Sequence, residues 1–217
     1  MRALGHPVGA PELVWLEADT TRGTRPIPVV CPIAMLEKCL EAAKQDVKMM
    51  EALSASERVL ENYWQGMDAA GNPVYDRLRG KVHRKKTLAL GLHGDGAPTH
   101  KTDGMFTIAW NSLTGKGSTV DTRHVYAVLK KSDMTRESLS NIWRYLAWAA
   151  KAMEKGVMPE LDWRGRPHPQ ARRKLFGGKH TALLIQMRGD WEFYDAVCKL
   201  PRWDAEPNMC WLCQAWC

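Results

Sequence analysis

No stretch of this 217-residue sequence is apolar for long enough to span a bilayer; Ala182 to Met187, for instance, is strand-sized. Met1 to Pro11 carry one arginine but no apolar core of the kind a secretory signal needs, so an intracellular location is expected. A disulfide framework is also missing: Cys31, Cys39, Cys198, Cys210, Cys213 and Cys217 leave most of the chain unstapled and crowd its last residues. No Gly-rich phosphate cradle ending in Lys-Ser or Lys-Thr appears, which argues against nucleotide hydrolysis. No Gly-x-Ser-x-Gly elbow offers an acyl-transfer nucleophile. Internal repeats, low-complexity tracts and a helix-turn-helix signature are absent as well.

What remains is ordinary globular usage, with 45% hydrophobic and 25% charged residues, in a chain long enough for one sizeable core. The formal net charge of +7 favours an anionic partner. Residues 1–32, rich in Pro and Gly apart from an apolar patch at Leu13 to Leu16, read as an extended lead-in. Residues 33–86 read as a helical region: Ile33, Leu36, Leu40, Ala43, Val47 and Met50 recur at helical steps after Pro32. Ser54 or Ser56 then caps a second helix bearing Val59, Leu60, Tyr63 and Trp64. A turn at Ala70 to Pro73 leads to a basic connector with Arg77, Arg79, Lys81, Arg84, Lys85 and Lys86.

Beyond residue 86 the period shortens. Thr87 to Leu92, Met105 to Ser112 and Thr122 to Leu129 read as strands, the third with Val125, Ala127 and Leu129 on one face and His124, Tyr126 and Val128 on the other. A strong helix follows, with a stripe of Leu139, Ile142, Trp143, Leu146, Ala150 and Met153, capped by Asp133 or Thr135 and closed by Gly156 and Pro159. Residues 157–179 form a long polar loop with Arg164, Arg166, Arg172, Arg173, Lys174 and Lys179. Thr181 to Met187 reads as a strand buried on both faces, and Trp191 to Lys199 as a short helix.

The order strand, strand, strand, helix, strand, helix therefore has one aspartate after its first strand and another after its fourth. If the fourth strand lies parallel to the first, Asp95 and Asp190 emerge at one sheet end, close enough to share a divalent metal. Paired carboxylates repel unless a cation sits between them, and hard Mg²⁺ or Mn²⁺ suits oxygen ligands.

The stretch Leu90-Gly91-Leu92-His93-Gly94-Asp95-Gly96-Ala97-Pro98, then Lys101-Thr102 and Met105 to Trp110, resembles the first-Asp segment of CACTA-type DDE transposases. Ala182 to Asp190, followed by Cys210-Trp211-Leu212-Cys213, resembles that family's second-Asp strand and its C-x₂-C pair. The resemblance covers about residues 87–217 and implies a partial RNase H-like domain with a C-terminal Cys-rich tail. It makes Asp95 and Asp190 the catalytic, metal-holding carboxylates, DNA the partner and the nucleus the location. The family's third acidic residue, on a later helix, is not supplied; Asp204 and Glu206 come too early, in a Pro-flanked stretch. Little or no strand transfer is therefore expected of this chain alone.

Each residue also has a plainer role open to it. Asp95 sits in Gly-Asp-Gly, a good turn, and Asp190 stands where a helix N-cap would. His93 can end its strand or neighbour the site. Cys210, Cys213 and Cys217 could hold Zn²⁺ with a fourth ligand, or remain free thiols. The two basic segments can track a phosphate backbone or form solvated faces, and Trp110 and Trp191 can stack on bases or pack. A non-enzymatic binding module with the same charge stands as the alternative, in a fold class of α/β either way.

Overall fold

The computed structural model of the protein describes residues 9–100, 103–135 and 137–198. Its centre is a six-stranded mixed sheet. The strands are β1 (Leu13–Thr20), β2 (Gly23–Val30), β3 (Thr87–His100), β4 (Asp103–Ser112), β5 (His124–Lys130) and β6 (Thr181–Gly189), in the spatial order β1-β2-β5-β4-β3-β6. β5, β4 and β3 pair antiparallel, while β6 lies parallel to β3, the arrangement a strand takes after a crossover helix. The helices are α1 (Pro32–Ala42), α2 (Val47–Leu53), α3 (Glu57–Ala69), α4 (Pro73–Leu78), α5 (Thr119–Thr122), α6 (Ser140–Lys155) and α7 (Trp191–Cys198).

The lead-in expected over residues 1–32 is corrected: its second half is a hairpin that extends the sheet. Leu16 and Ala18 are buried while Trp15 and Glu17 face out, a period of two that is too short to stand out next to prolines. Pro26 and Pro28 sit two apart in β2, so both missing N–H donors fall on one edge of that strand. The β1–β2 ladder is continuous, whereas β2 meets β5 through the single pair Val29 and Ala127. The prolines thus cost pairing on the β5 side, and the hairpin is held there by Leu16 and Val29 in the core.

The helical region holds four helices instead of two. Asp46 caps α2 through the Met49 N–H, and Ser54 in the left-handed conformation (φ 43°) ends it. Of the two candidate serines, Ser56 caps α3, accepting from the Val59 N–H. The turn at Ala70 to Pro73 opens a further helix, whose first turn is capped by Asn72.

β5 departs from simple alternation. Ile108 pairs with Ala127 and Ala109 with Val125, so Tyr126 is the extra residue of a bulge. Consequently His124, Tyr126, Ala127 and Leu129 are all buried, and Val125, Val128 and Lys130 face out. The Tyr126 hydroxyl donates to the Ile142 carbonyl at 2.7 Å and ties β5 to α6. Along α6 the buried stripe is Ile142, Tyr145, Leu146, Ala149, Ala152 and Met153, rotated slightly from the expected one, so Trp143 and Ala150 are half-buried. Neither Asp133 nor Thr135 caps this helix: Asp133 pairs with Arg22, and Thr135 accepts from the Glu137 N–H. Gly156, with φ 65°, closes it as expected.

One face of the sheet packs against α1, α2, α6 and α7 around Leu36, Leu88, Leu90, Ile108, Ile142 and Phe193. A smaller cluster on the other face joins Trp64 and Tyr75 to Ala89 and Leu183. No helix among the described residues is long and apolar enough to cross a membrane.

At the start of β6, burial holds the His180 imidazole below its ordinary value of 6.5, and its Nδ1 has no partner among the described residues. The unfolded chain therefore takes up a proton that the folded one refuses, and stability, complete above the unfolded value, drains as pH falls below it. Urea unfolding between about pH 7 and about pH 5 should show this loss, with a shallower slope in His180→Gln.

Candidate functional site

β3 alternates cleanly past its midpoint. Leu88, Leu90 and Leu92 enter the larger core, which leaves Ala89, Gly91, His93 and Asp95 on the opposite face. β6 follows in parallel register, with one extra residue near Ile185, so that His93 lies beside Arg188 and Gly94 beside Gly189. The next residue on each chain is the aspartate: Asp190 directly follows the last residue of β6, whereas Asp95 stands within β3, which runs on to His100. Both are exposed.

Two glycines make this possible. A Cβ on Gly94 would fall 1.7 Å from the Phe193 ring, and one on Gly189 would fall 2.3 Å from it. The ring is wholly buried there and stacks on Phe106 at 6.0 Å, so α7 can dock across both strands only because neither carries a side chain on that face. Asp190 starts α7, accepting a hydrogen bond from the Phe193 N–H through Oδ1 at 2.8 Å. The helix-capping role open to Asp190 from sequence is thus filled, with Oδ2 left over. Asp95 lies opposite Thr107 within continuous β3–β4 pairing, so it belongs to a strand and not to the turn that Gly-Asp-Gly also permits.

His93 senses both carboxylates. Burial presses its imidazole below the ordinary value; the guanidinium groups of Arg123 and Arg188 act the same way, and the charges of Asp95 and Asp190 oppose them. Arg188 also donates to the Asn111 side-chain oxygen at 3.1 Å across the space above Gly91.

The basic segments lie elsewhere. The connector enters β3 at Thr87 and the long loop enters β6 at Thr181, so both sit at the amino ends of the parallel strands, roughly 25 Å from the aspartates at about 3.3 Å per residue. Most of their charge is also internally spent. Arg79 and Arg84 pair with Asp68, Lys81 with Glu154, Lys85 with Glu61, Arg166 with Asp162, Arg172 with Glu160 and Arg173 with Glu37. Arg77, Lys86, Lys174 and Lys179 have no ion pair among the described residues, and Arg164 lies over the Trp163 ring at 4.6 Å. The structure therefore does not bring either segment to the carboxylates. Trp110 is buried against His124 at 4.5 Å and packs instead of stacking on a ligand.

Cys210, Cys213 and Cys217 lie outside the described residues. Among the described residues no three His, Cys, Asp or Glu side chains converge on a point that could hold a metal. Two carboxylates still match what Mg²⁺ commonly takes from a protein, because that ion keeps several waters and completes its shell with substrate phosphates.

Sequence reasoning missed Arg123, Arg188 and Asn111 near the aspartates. The available signal was Gly91: an isolated glycine inside a strand often marks a close approach by other groups. No protein-family model matches the chain, and no curated protein or solved structure matches it.

Proposed function

We propose that this chain carries a partial, transposase-like nucleic-acid-processing core of RNase H-like type, in which Asp95 and Asp190 hold Mg²⁺ or Mn²⁺ against the phosphates of DNA. The single observation that supports the reading most is the parallel register of Gly94 with Gly189, the residues that immediately precede the two far-separated aspartates. Three antiparallel strands, a helix and a fourth strand parallel to the first are what the periodicity of the sequence predicted, and this coarse order is compatible with the reading. When bound, the ion would stabilise charge on the attacking and leaving oxygens of a phosphodiester. Asp95 and Asp190 would orient it, and Arg188 and Arg123 would offset phosphate charge nearby. A nuclear location accompanies this reading.

With no third carboxylate at the site among the described residues, the chain alone is expected to cleave or join DNA little or not at all in Mg²⁺. Efficient strand transfer by the purified protein would overturn that inference. A second reading, a binding module without catalysis, draws on the use of Asp190 as a helix cap. The two are separable because Asn caps a helix about as well as Asp but lacks its charge.

Asp190→Asn should keep the fold and weaken Mn²⁺ binding at least about tenfold, as should Asp95→Asn. Asp190→Ala should in addition lose about 1 kcal/mol of stability with the cap. Titration calorimetry with Mn²⁺ and urea unfolding measure the two effects. Unchanged Mn²⁺ binding in both Asn variants would leave the cap as the only role of Asp190.

A further inference from the structure

On the face of the sheet opposite Phe193, a groove of about 520 Å³ runs between α3–α4 and the strands β4 and β6 and reaches Arg188, two residues before Asp190. Its walls include Tyr63, Asn72, Asn111, Leu113, Gln186 and Arg188, and no carboxylate lines it. Gly91 pairs with Asn111 on one side and Gln186 on the other, and a Cβ on it would meet Leu113 at 2.7 Å, Asn111 at 3.2 Å and Arg188 at 3.3 Å. Any side chain there would fill the space in which Asn111 and Arg188 meet. Gly91 lies on the same face of β3 as His93 and Asp95, about 13 Å from Asp95 along the strand.

From this juxtaposition we infer that the groove binds an unpaired base of a DNA strand whose backbone continues to Asp95 and Asp190; the inference rests on the nucleic-acid reading above. Three chemical features select that ligand. The Arg188 guanidinium, exposed and directed by Asn111, can meet a phosphate with its remaining donors. Gln186 is exposed and its side-chain amide has no partner among the described residues, so it can both donate to and accept from a base edge. Tyr63, half-buried and held edge-on to Trp64 at 5.2 Å, supplies an aromatic wall. In a duplex, base faces are stacked and Watson–Crick edges are paired, so only an unpaired nucleotide can use all three. An acidic polypeptide would use Arg188 but would have no need of Tyr63 and the amides.

Binding of fluorescein-labelled oligothymidine, followed by anisotropy in EDTA, tests the inference without metal. Arg188→Gln combined with Gln186→Ala should weaken binding at least about tenfold, since both side chains are exposed and the fold should survive. Lys86→Gln removes the same charge at the far end of the sheet and should weaken it far less. The Asp95→Asn, Asp190→Asn double variant should bind as well as the wild type or better. Equal weakening by Arg188→Gln and Lys86→Gln would mean diffuse electrostatics and would overturn the groove, as would equal competition by blunt duplex or by polyglutamate. Failure of the metal reading shows separately: Mn²⁺ binding would be absent while the oligothymidine result stood, or present while it fell.

Discussion

Alanine at Gly94 is expected to lower stability by about 3 kcal/mol and to lift α7 from the sheet, because one methyl group cannot share space with the Phe193 ring 1.7 Å away. The ring has no easy retreat. It is fully buried, stacked on Phe106 and bordered by Gly189, where a Cβ would also collide. The strand could shift instead, but β3 is held by β4 on one side and β6 on the other. Urea unfolding should report the loss, and amide exchange should show α7 losing protection before the rest. A double-mutant cycle sharpens the test. Phe193→Ala alone should cost about 3 to 5 kcal/mol, but much less in the Gly94→Ala background, where the ring is already displaced. Strictly additive costs would show that the methyl does not act through Phe193.

Trp64→Ala should be at least as damaging, at about 4 kcal/mol, for two reasons that can be separated. The indole is fully buried between Tyr75 and Ala89 and is the largest side chain of the smaller core. Its Nε1–H also donates to the Thr87 carbonyl at 2.7 Å, at the first residue of β3. Trp64→Phe keeps much of the packing and orphans the carbonyl, so it should cost about 1 to 3 kcal/mol. Equal losses in the two variants would assign the effect to the hydrogen bond alone. Either variant should loosen α3 and α4, and with them one wall of the groove near Gln186.

The strands β3 to β6 and the helix α6 were legible in the sequence as apolar runs or stripes of the right length, although β6, expected to be buried on both faces, is exposed at Gln186, Met187 and Arg188. The hairpin was not. Pro26 and Pro28 belong to a strand whose second neighbour touches it at one pair only, and a rule that bars prolines from sheets cannot anticipate that. The faces of β5 were misassigned because the bulge at Tyr126 inverts the alternation, and a bulge leaves no mark in composition. At the candidate site, the sequence placed Asp95 just past its first strand, but β3 runs on to His100 because its second half, though rich in glycine, pairs with β4. The basic segments lead into β3 and β6 at those strands' amino ends, a consequence of chain order that their charge does not disclose. Charge runs name a preference for anions without saying where it sits, and here most of the cations are already matched by Asp68, Glu154, Glu160, Asp162 and Glu37.

The hydroxyls of Thr87 and Thr181 meet at 3.0 Å although they stand 94 positions apart in the chain. Until β6 arrives, β3 has no neighbour on that side, and Leu16, Val29 and Leu36 wait for companions supplied from the far half of the sequence. A chain wired in this way pays its loop-closure entropy early and collects its contacts late. Refolding from denaturant should therefore be slow, and its yield should fall as protein concentration rises, because apolar strands left waiting find one another in neighbouring molecules.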